Sequence, residues 1–277
     1  MSTPNFTRDA ALAEADRVRA EFEAHLKTLV EIPTVSSQRE RKADVKRGVD
    51  AAVALIQSAG GKTPVLQTEG HPIVHGQLGN DRAAPTVTVY NHLDVQPADR
   101  EKDGWKTDPF AMVTEGEVYR GRGTTDDKGP ALAAFLGARY ARAQGVPVNV
   151  SLLWEFEEEI GSPNFETTIA KNKDLLATSS VIVSDTIWVS RERPAAPAGL
   201  RGLQGMLFRL RTGERDEHSG VTGGAARNPL AELMQLVSEC FDARTGMVRI
   251  PGFYDDVVAP TEGELRDFAR CGFTVAG

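Results

Sequence analysis

A chain of 277 residues with 40% hydrophobic and 26% charged side chains can bury a sizeable core and hold one or two domains. A net charge of -7 leaves no basic surface to track phosphates, which excludes a general nucleic-acid binder. No apolar run reaches membrane-spanning length, residues 1–6 carry no basic leader pattern, and Cys240 and Cys271 are too few for a disulfide framework; a cytoplasmic protein without membrane association is expected.

Residues 7–30 place Leu12, Val18, Phe22, Leu26 and Leu29 at helical spacing with charges between them, which predicts an amphipathic helix. Pro33 ends that pattern, and a second helix is predicted over 42–59, punctuated by Gly60-Gly61. Short alternating runs at 63–68 and 72–78 read as strands. His71 and His75 are four apart but sit beside Gly70 and Pro72, which argues against a helical metal pair, and His25 reads as a packing or surface histidine. The β-branched run 84–90 predicts a strand that ends at Asn91-His92-Leu93-Asp94. If it continues, His92 and Asp94 face the same way, so one can bind a metal while the other orients it.

Trp105 lies in the following loop, where it either shapes a pocket or packs over the loop. Asp126-Asp127 precede an Ala-rich helix predicted over 129–143, where an Asp is also a common cap. A strand at 148–154 ends in Glu157-Glu158-Glu159, and another at 181–184 ends at Asp185. The alternation of strands and helices predicts an α/β fold with a doubly wound mixed sheet flanked by helices. Arg193-Pro194-Ala195-Ala196-Pro197 marks a boundary near residue 200, giving domains at 1–200 and 201–277. Beyond it come a strand-like run at 203–211, the loop around His218, and a helix predicted over 228–240.

Taken together and in order, His92 and Asp94, Asp126-Asp127-Lys128-Gly129, Glu157-Glu158-Glu159 with Gly161-Ser162, Asp185 and His218 resemble the M20 family of metallopeptidases. The nearest likeness is to its nonspecific and carnosinase-like dipeptidases. The resemblance implies two divalent metal ions, zinc first, with manganese or cobalt able to fill the same ligands. It makes His92, Asp126, Glu159 and Asp185 the metal ligands, with Asp126 bridging. Asp94 would fix the tautomer of His92, and Glu158 would be the general base. The register of the Glu triplet is set by Gly161-Ser162, which leaves Glu157 a structural or supporting role. His218 would lie on an inserted α+β lid, binding substrate or oxyanion, and the lid would form a homodimer. Arg201-Gly202 and Asn228-Pro229 match substrate-side positions.

Hydrolysing an unactivated amide needs a nucleophile at neutral pH, charge stabilisation on the carbonyl and a proton for the leaving amine; two metals about 3.5–4 Å apart provide the first two. The implied reaction is hydrolysis of dipeptides or short peptides, with N-acyl-amino-acid deacylation or desuccinylation as an alternative on the same metal core. Asp103-Gly104-Trp105 and Ser184-Asp185 with Trp188 lean toward the dipeptidase branch. The sequence stops at Gly277, within the implied lid, and none of His25, His71, His75, His92 and His218 stands where the family's last histidine ligand falls. Two expectations follow: the N-terminal part of a dipeptidase with impaired activity, or a non-catalytic remnant that binds metal or dimerises.

Overall fold

The computed structural model describes residues 7–186, 190, 195–197, 199–200 and 202–272. Trp188, Arg193, Pro194 and Arg201 lie outside the described residues. The chain divides into two compact units, Met1–Ile187 and Trp188–Gly277.

The first unit opens with α1 (Arg8–Val30), started by the Thr7 hydroxyl accepting the Ala10 N–H at 3.1 Å. It buries Val18, Leu26, Leu29 and Val30, while Leu12 stays exposed. Helix α2 (Lys42–Ser58) buries Val45, Val49, Ala52, Leu55 and Ile56 along one side. Strands β1 (Val65–Leu66), β2 (Ile73–Leu78) and β3 (Thr86–His92) follow, then a small hairpin, β4 (Val113–Glu115) with β5 (Val118–Arg120). Helix α3 (Lys128–Ala143), β6 (Asn149–Glu155), α4 (Phe165–Lys171) and β7 (Ser180–Val183) complete the unit.

The main sheet is mixed, in the order β1-β2-β6-β3-β7. β2 runs antiparallel to β6, while β6, β3 and β7 are mutually parallel. The chain crosses from β3 to β6 through α3, then back past β3 to β7 through α4. Crossovers in opposite directions put their helices on opposite faces. The packing agrees: α1, α2 and α3 cover a core of Leu26, Val49, Ile56, Leu132, Phe135 and Trp154, and α4 covers the smaller cluster of Leu66, Ile73 and Leu153. The reversal between β3 and β6 opens a crevice at their C-terminal ends, where such sheets place ligands.

The second unit contains α5 (Ser219–Thr222), α6 (Pro229–Cys240), the hairpin β8 (Phe241–Asp242) with β9 (Met247–Val248), and α7 (Glu262–Cys271). Asn228 caps α6 through the N–H groups of Leu230 and Ala231, and Thr261 with Glu264 forms a capping box on α7. The strand expected over 203–211 does not form: the described residues there lie in no ladder. A strand needs a neighbour for its backbone groups, and β-propensity without one is insufficient. None of the described residues of this unit is buried.

Candidate metal centre

His92 is the last residue of β3, paired in register with Glu155 at the end of β6. The next backbone contact, Leu93 N–H to the Glu155 carbonyl at 2.8 Å, carries the ladder one step into the loop and buries Asp94 beneath the crevice. The Asp94 carboxylate then has four neighbours. It accepts the Ser36 hydroxyl at 2.6 Å and the backbone N–H groups of Glu158 and Glu159 at 3.2 and 3.1 Å, and it lies 3.4 Å from His92 Nδ1. The Asp94 carbonyl is also 3.1 Å from Nδ1. Nδ1 thus faces acceptors, which leaves Nε2 as the nitrogen presented to the crevice.

Nε2 of His92 meets a ring of carboxylates: Asp126 Oδ1 at 2.9 Å, Asp185 Oδ2 at 3.7 Å and Glu158 Oε2 at 3.8 Å. His92, Asp126 and Glu159 offer ligand atoms within 4.8 Å of one another, and so do His92, Asp127 and Asp185. Among the described residues, His92 is the one histidine in either set. The structure therefore gathers His92, Asp94, Asp126, Glu158, Glu159 and Asp185 at one crevice. It holds His218 in the second unit, exposed, where its Nδ1 accepts the Gly220 N–H at 3.0 Å as the cap of α5.

The Asp pair is not a cap. Asp127 occupies the N-cap position of α3, yet its side chain makes no capping hydrogen bond. Its buried Oδ2 accepts the Asn91 amide at 2.8 Å and the His92 N–H at 3.1 Å, and its Oδ1 is buried with no partner among the described residues. The Asp126–Asp127 peptide bond is cis. Gly129 is demanded by this turn, since a Cβ there would come within 2.1 Å of the Thr124 carbonyl oxygen. The Glu triplet curls into a 3₁₀ turn over Glu158–Ile160 closed by Gly161 in the left-handed region, rather than ending as a strand. Glu157 turns away and is buried, accepting the His71 N–H at 2.9 Å and the Asn164 amide at 2.8 Å. Glu158 stays 40% exposed, and Glu159 is held by the Gln96 N–H and side-chain amide at 3.2 and 2.9 Å.

So many acidic groups in one crevice strain its protonation. Burial raises Asp127 to about 8, the charge of Asp185 adding to it. Burial, with Asp185, Glu159 and Asp94 nearby, lifts Glu158 above the ordinary carboxylate range, and burial lifts Asp185 likewise. For His92 burial pulls downward, but the hydrogen bond and charge of Asp94, with Asp127 and Asp185, outweigh it and raise the imidazole to about 10. The site is a concentration of negative charge and acceptors around one imidazole, with an orphaned buried carboxylate oxygen. That donor set suits hard or borderline divalent cations.

Several supporting residues are not evident from sequence. Lys128 is fully buried at the start of α3, its Nζ donating at 2.8 Å to the carbonyls of both Leu29 and Ile32, which ties the site helix to the end of α1. Asn91 and Gln96 hold the ligand-set side chains of Asp127 and Glu159 in place, and Ser36 holds Asp94; each is an ordinary polar residue whose partner is distant in the chain.

Residues 88–249, more than half of the chain, match the model of peptidase family M20/M25/M40. The chain belongs to that family. It is 37% identical over 232 residues to human Beta-Ala-His dipeptidase, covering 82% of this chain and 45% of that protein. It is 34% identical over 270 residues to the Cys-Gly metallodipeptidase of Schizosaccharomyces pombe, covering 91% and 56%. An M20-family metallo-carboxypeptidase from Sulfolobus solfataricus superposes with a TM-score of 0.75 at 29% identity, over 92% of this chain and 57% of that one. The chain spans about half the length of the curated relatives it matches. No helix among the described residues is long and apolar enough to cross a membrane.

Proposed function

We propose that this chain carries the metal site of a peptidase that hydrolyses dipeptides or short peptides. The observation that supports it is the meeting of His92 with Asp126, Asp185 and the Glu158-Glu159 pair at the switch point of the sheet. His92, Asp126, Glu159 and Asp185 would hold two divalent ions, with Asp126 serving both, and the buried, unpartnered Oδ1 of Asp127 would add an acceptor to the same crevice. Ions bound there, zinc first, would acidify a water and polarise the scissile carbonyl.

The protein groups do the rest. Asp94 holds Nδ1 of His92 and fixes which nitrogen faces the crevice. Glu158, anchored through its backbone to Asp94 with its carboxylate facing the crevice near His92, takes a proton from the attacking water and returns it to the leaving nitrogen. Its raised affinity for protons brings it nearer neutral pH, which suits a group that must both accept and donate. In this reading the second unit belongs to the lid, His218 contacts substrate, the active form is a cytoplasmic homodimer, and zinc is exchangeable for manganese or cobalt.

A panel of dipeptides, N-acetyl amino acids and N-succinyl amino acids tests the reaction class. Preferential cleavage of dipeptides is expected, and preference for the acylated compounds would reassign the chain to deacylation. The likeness to a metallo-carboxypeptidase favours a second reading, trimming of longer peptides, which tripeptides and tetrapeptides in the same panel would detect.

A further inference from the structure

A groove of about 400 Å³ opens beside Asp126, between the loop holding Trp105 and the turn at residues 121–126. Its walls are set by the backbone. The Arg122 N–H donates to the Pro109 carbonyl at 2.7 Å, clamping the two segments together. Gly121 and Gly123 are both required by this path: a Cβ on Gly121 would come 2.7 Å from Val30, and Gly123 has φ of 92°. Arg122 lies between them, with its guanidinium over the Trp105 ring at 5.3 Å from the centroid.

The charges on these walls are unequally occupied. Arg120 is paired with Glu115 at 2.7 Å, and the Asp103 carboxylate accepts the Asp99 N–H at 2.8 Å. Arg122 and Lys106 form no ion pair among the described residues, and Nε of Arg122 is buried without a partner. An arginine stacked on an aromatic ring has one face shielded from water and its planar fork of donors held in one orientation. Such a fork gives its strongest hydrogen bonds to a carboxylate.

We propose that this groove is a subsite for an acidic side chain of the peptide, whose carboxylate is received by Arg122 with Lys106 nearby. The proposal rests on the peptidase reading, because it is Asp126, shared between the groove and the ligand set of His92, Asp126 and Glu159, that joins a side-chain pocket to the scissile bond. An aspartyl or glutamyl residue next to that bond would place its carboxylate toward the arginine and its methylenes along Trp105.

The test is calorimetric binding of Gly-Glu and Gly-Gln to the chain, two peptides of nearly the same shape that differ in side-chain charge. One charge-assisted hydrogen bond corresponds to roughly a tenfold difference in Kd, so Gly-Glu should bind about tenfold tighter. The preference should vanish in Arg122→Met. Equal affinities in the unaltered chain, binding of neither peptide, or a preference surviving Arg122→Met would overturn the subsite. An Arg122-dependent loss on amidating the C-terminus, rather than on neutralising the side chain, would assign the groove to the main-chain carboxylate and overturn it too. Hydrolysis of the same peptides is followed separately: an intact Gly-Glu preference without cleavage would sink the peptidase reading and leave the subsite standing.

Discussion

The backbone N–H of Glu159 donates to the buried carboxylate of Asp94 at 3.1 Å. The other Asp94 oxygen accepts the Glu158 N–H at 3.2 Å and lies 3.4 Å from Nδ1 of His92. One side chain thus sets both the imidazole and the two glutamates. Asparagine in its place has a single acceptor oxygen and turns an NH₂ toward an N–H, so part of this arrangement is lost. Asp94→Asn should lower zinc affinity by roughly 10- to 100-fold, read by competition with a chromophoric chelator. Unchanged affinity would remove Asp94 from the account.

The two glutamates should separate by phenotype. Glu158→Gln keeps the size of the side chain and its backbone contacts but removes the base; hydrolysis should fall by about 10²- to 10⁴-fold with zinc content unchanged. Glu159→Gln should instead lower zinc content. The reverse pattern would shift the register of the triplet by one residue.

Much of this was readable in the residues. The helices at Arg8–Val30, Lys42–Ser58, Lys128–Ala143 and Pro229–Cys240 follow the apolar periodicity and caps closely, because each buries or presents a single stripe. Strand ends could be located, and the clustering of carboxylates at those ends pointed to the crevice. The two-residue separation of Asp94 from His92 predicts a shared face, although β3 stops at His92 and it is the loop that delivers the carboxylate. What was illegible depends on contacts remote in sequence. The turn away of Glu157 is dictated by His71 and Asn164, the burial of Lys128 by the carbonyls ending α1, and the lack of capping by Asp127 by Asn91. The run 203–211 looks like a strand by composition, but a ladder needs a second strand that no local pattern supplies.

His75 offers a stability measurement independent of the metal centre. It is buried between β2 and β6, with Nε2 2.8 Å from the Ser151 hydroxyl and Nδ1 unpartnered, and burial lowers its pKa from 6.5 to about 4. The folded state therefore holds His75 neutral, while the unfolded chain binds a proton below 6.5. Its contribution is complete above pH 6.5 and is lost as pH falls toward 4, amounting to roughly 3 kcal/mol. Urea unfolding at pH 7 and pH 4.5 should show this loss, and His75→Gln should flatten that part of the profile. An identical pH dependence in the variant would contradict the assignment.

Lys128 should behave as a structural tie. Replacing it with Met keeps most of the stem but removes the charged donor from the Leu29 and Ile32 carbonyls, which keep the backbone N–H groups of Ile32 and Thr34. A hydrogen bond from a charged donor contributes about 1.5–3 kcal/mol, so losing the two in Lys128→Met should destabilise the first unit by about 2–4 kcal/mol in denaturant unfolding. A variant as stable as the parent would mean that the backbone donors alone satisfy those carbonyls.

Native mass spectrometry of the zinc-titrated chain is the decisive measurement for the proposed centre of His92, Asp126, Glu159 and Asp185. Zinc should be retained by the unaltered chain and lost from Asp126→Asn, because both ions are assigned to that carboxylate. A chain that takes up no zinc, or an Asp126→Asn variant that keeps its full complement, would contradict that assignment.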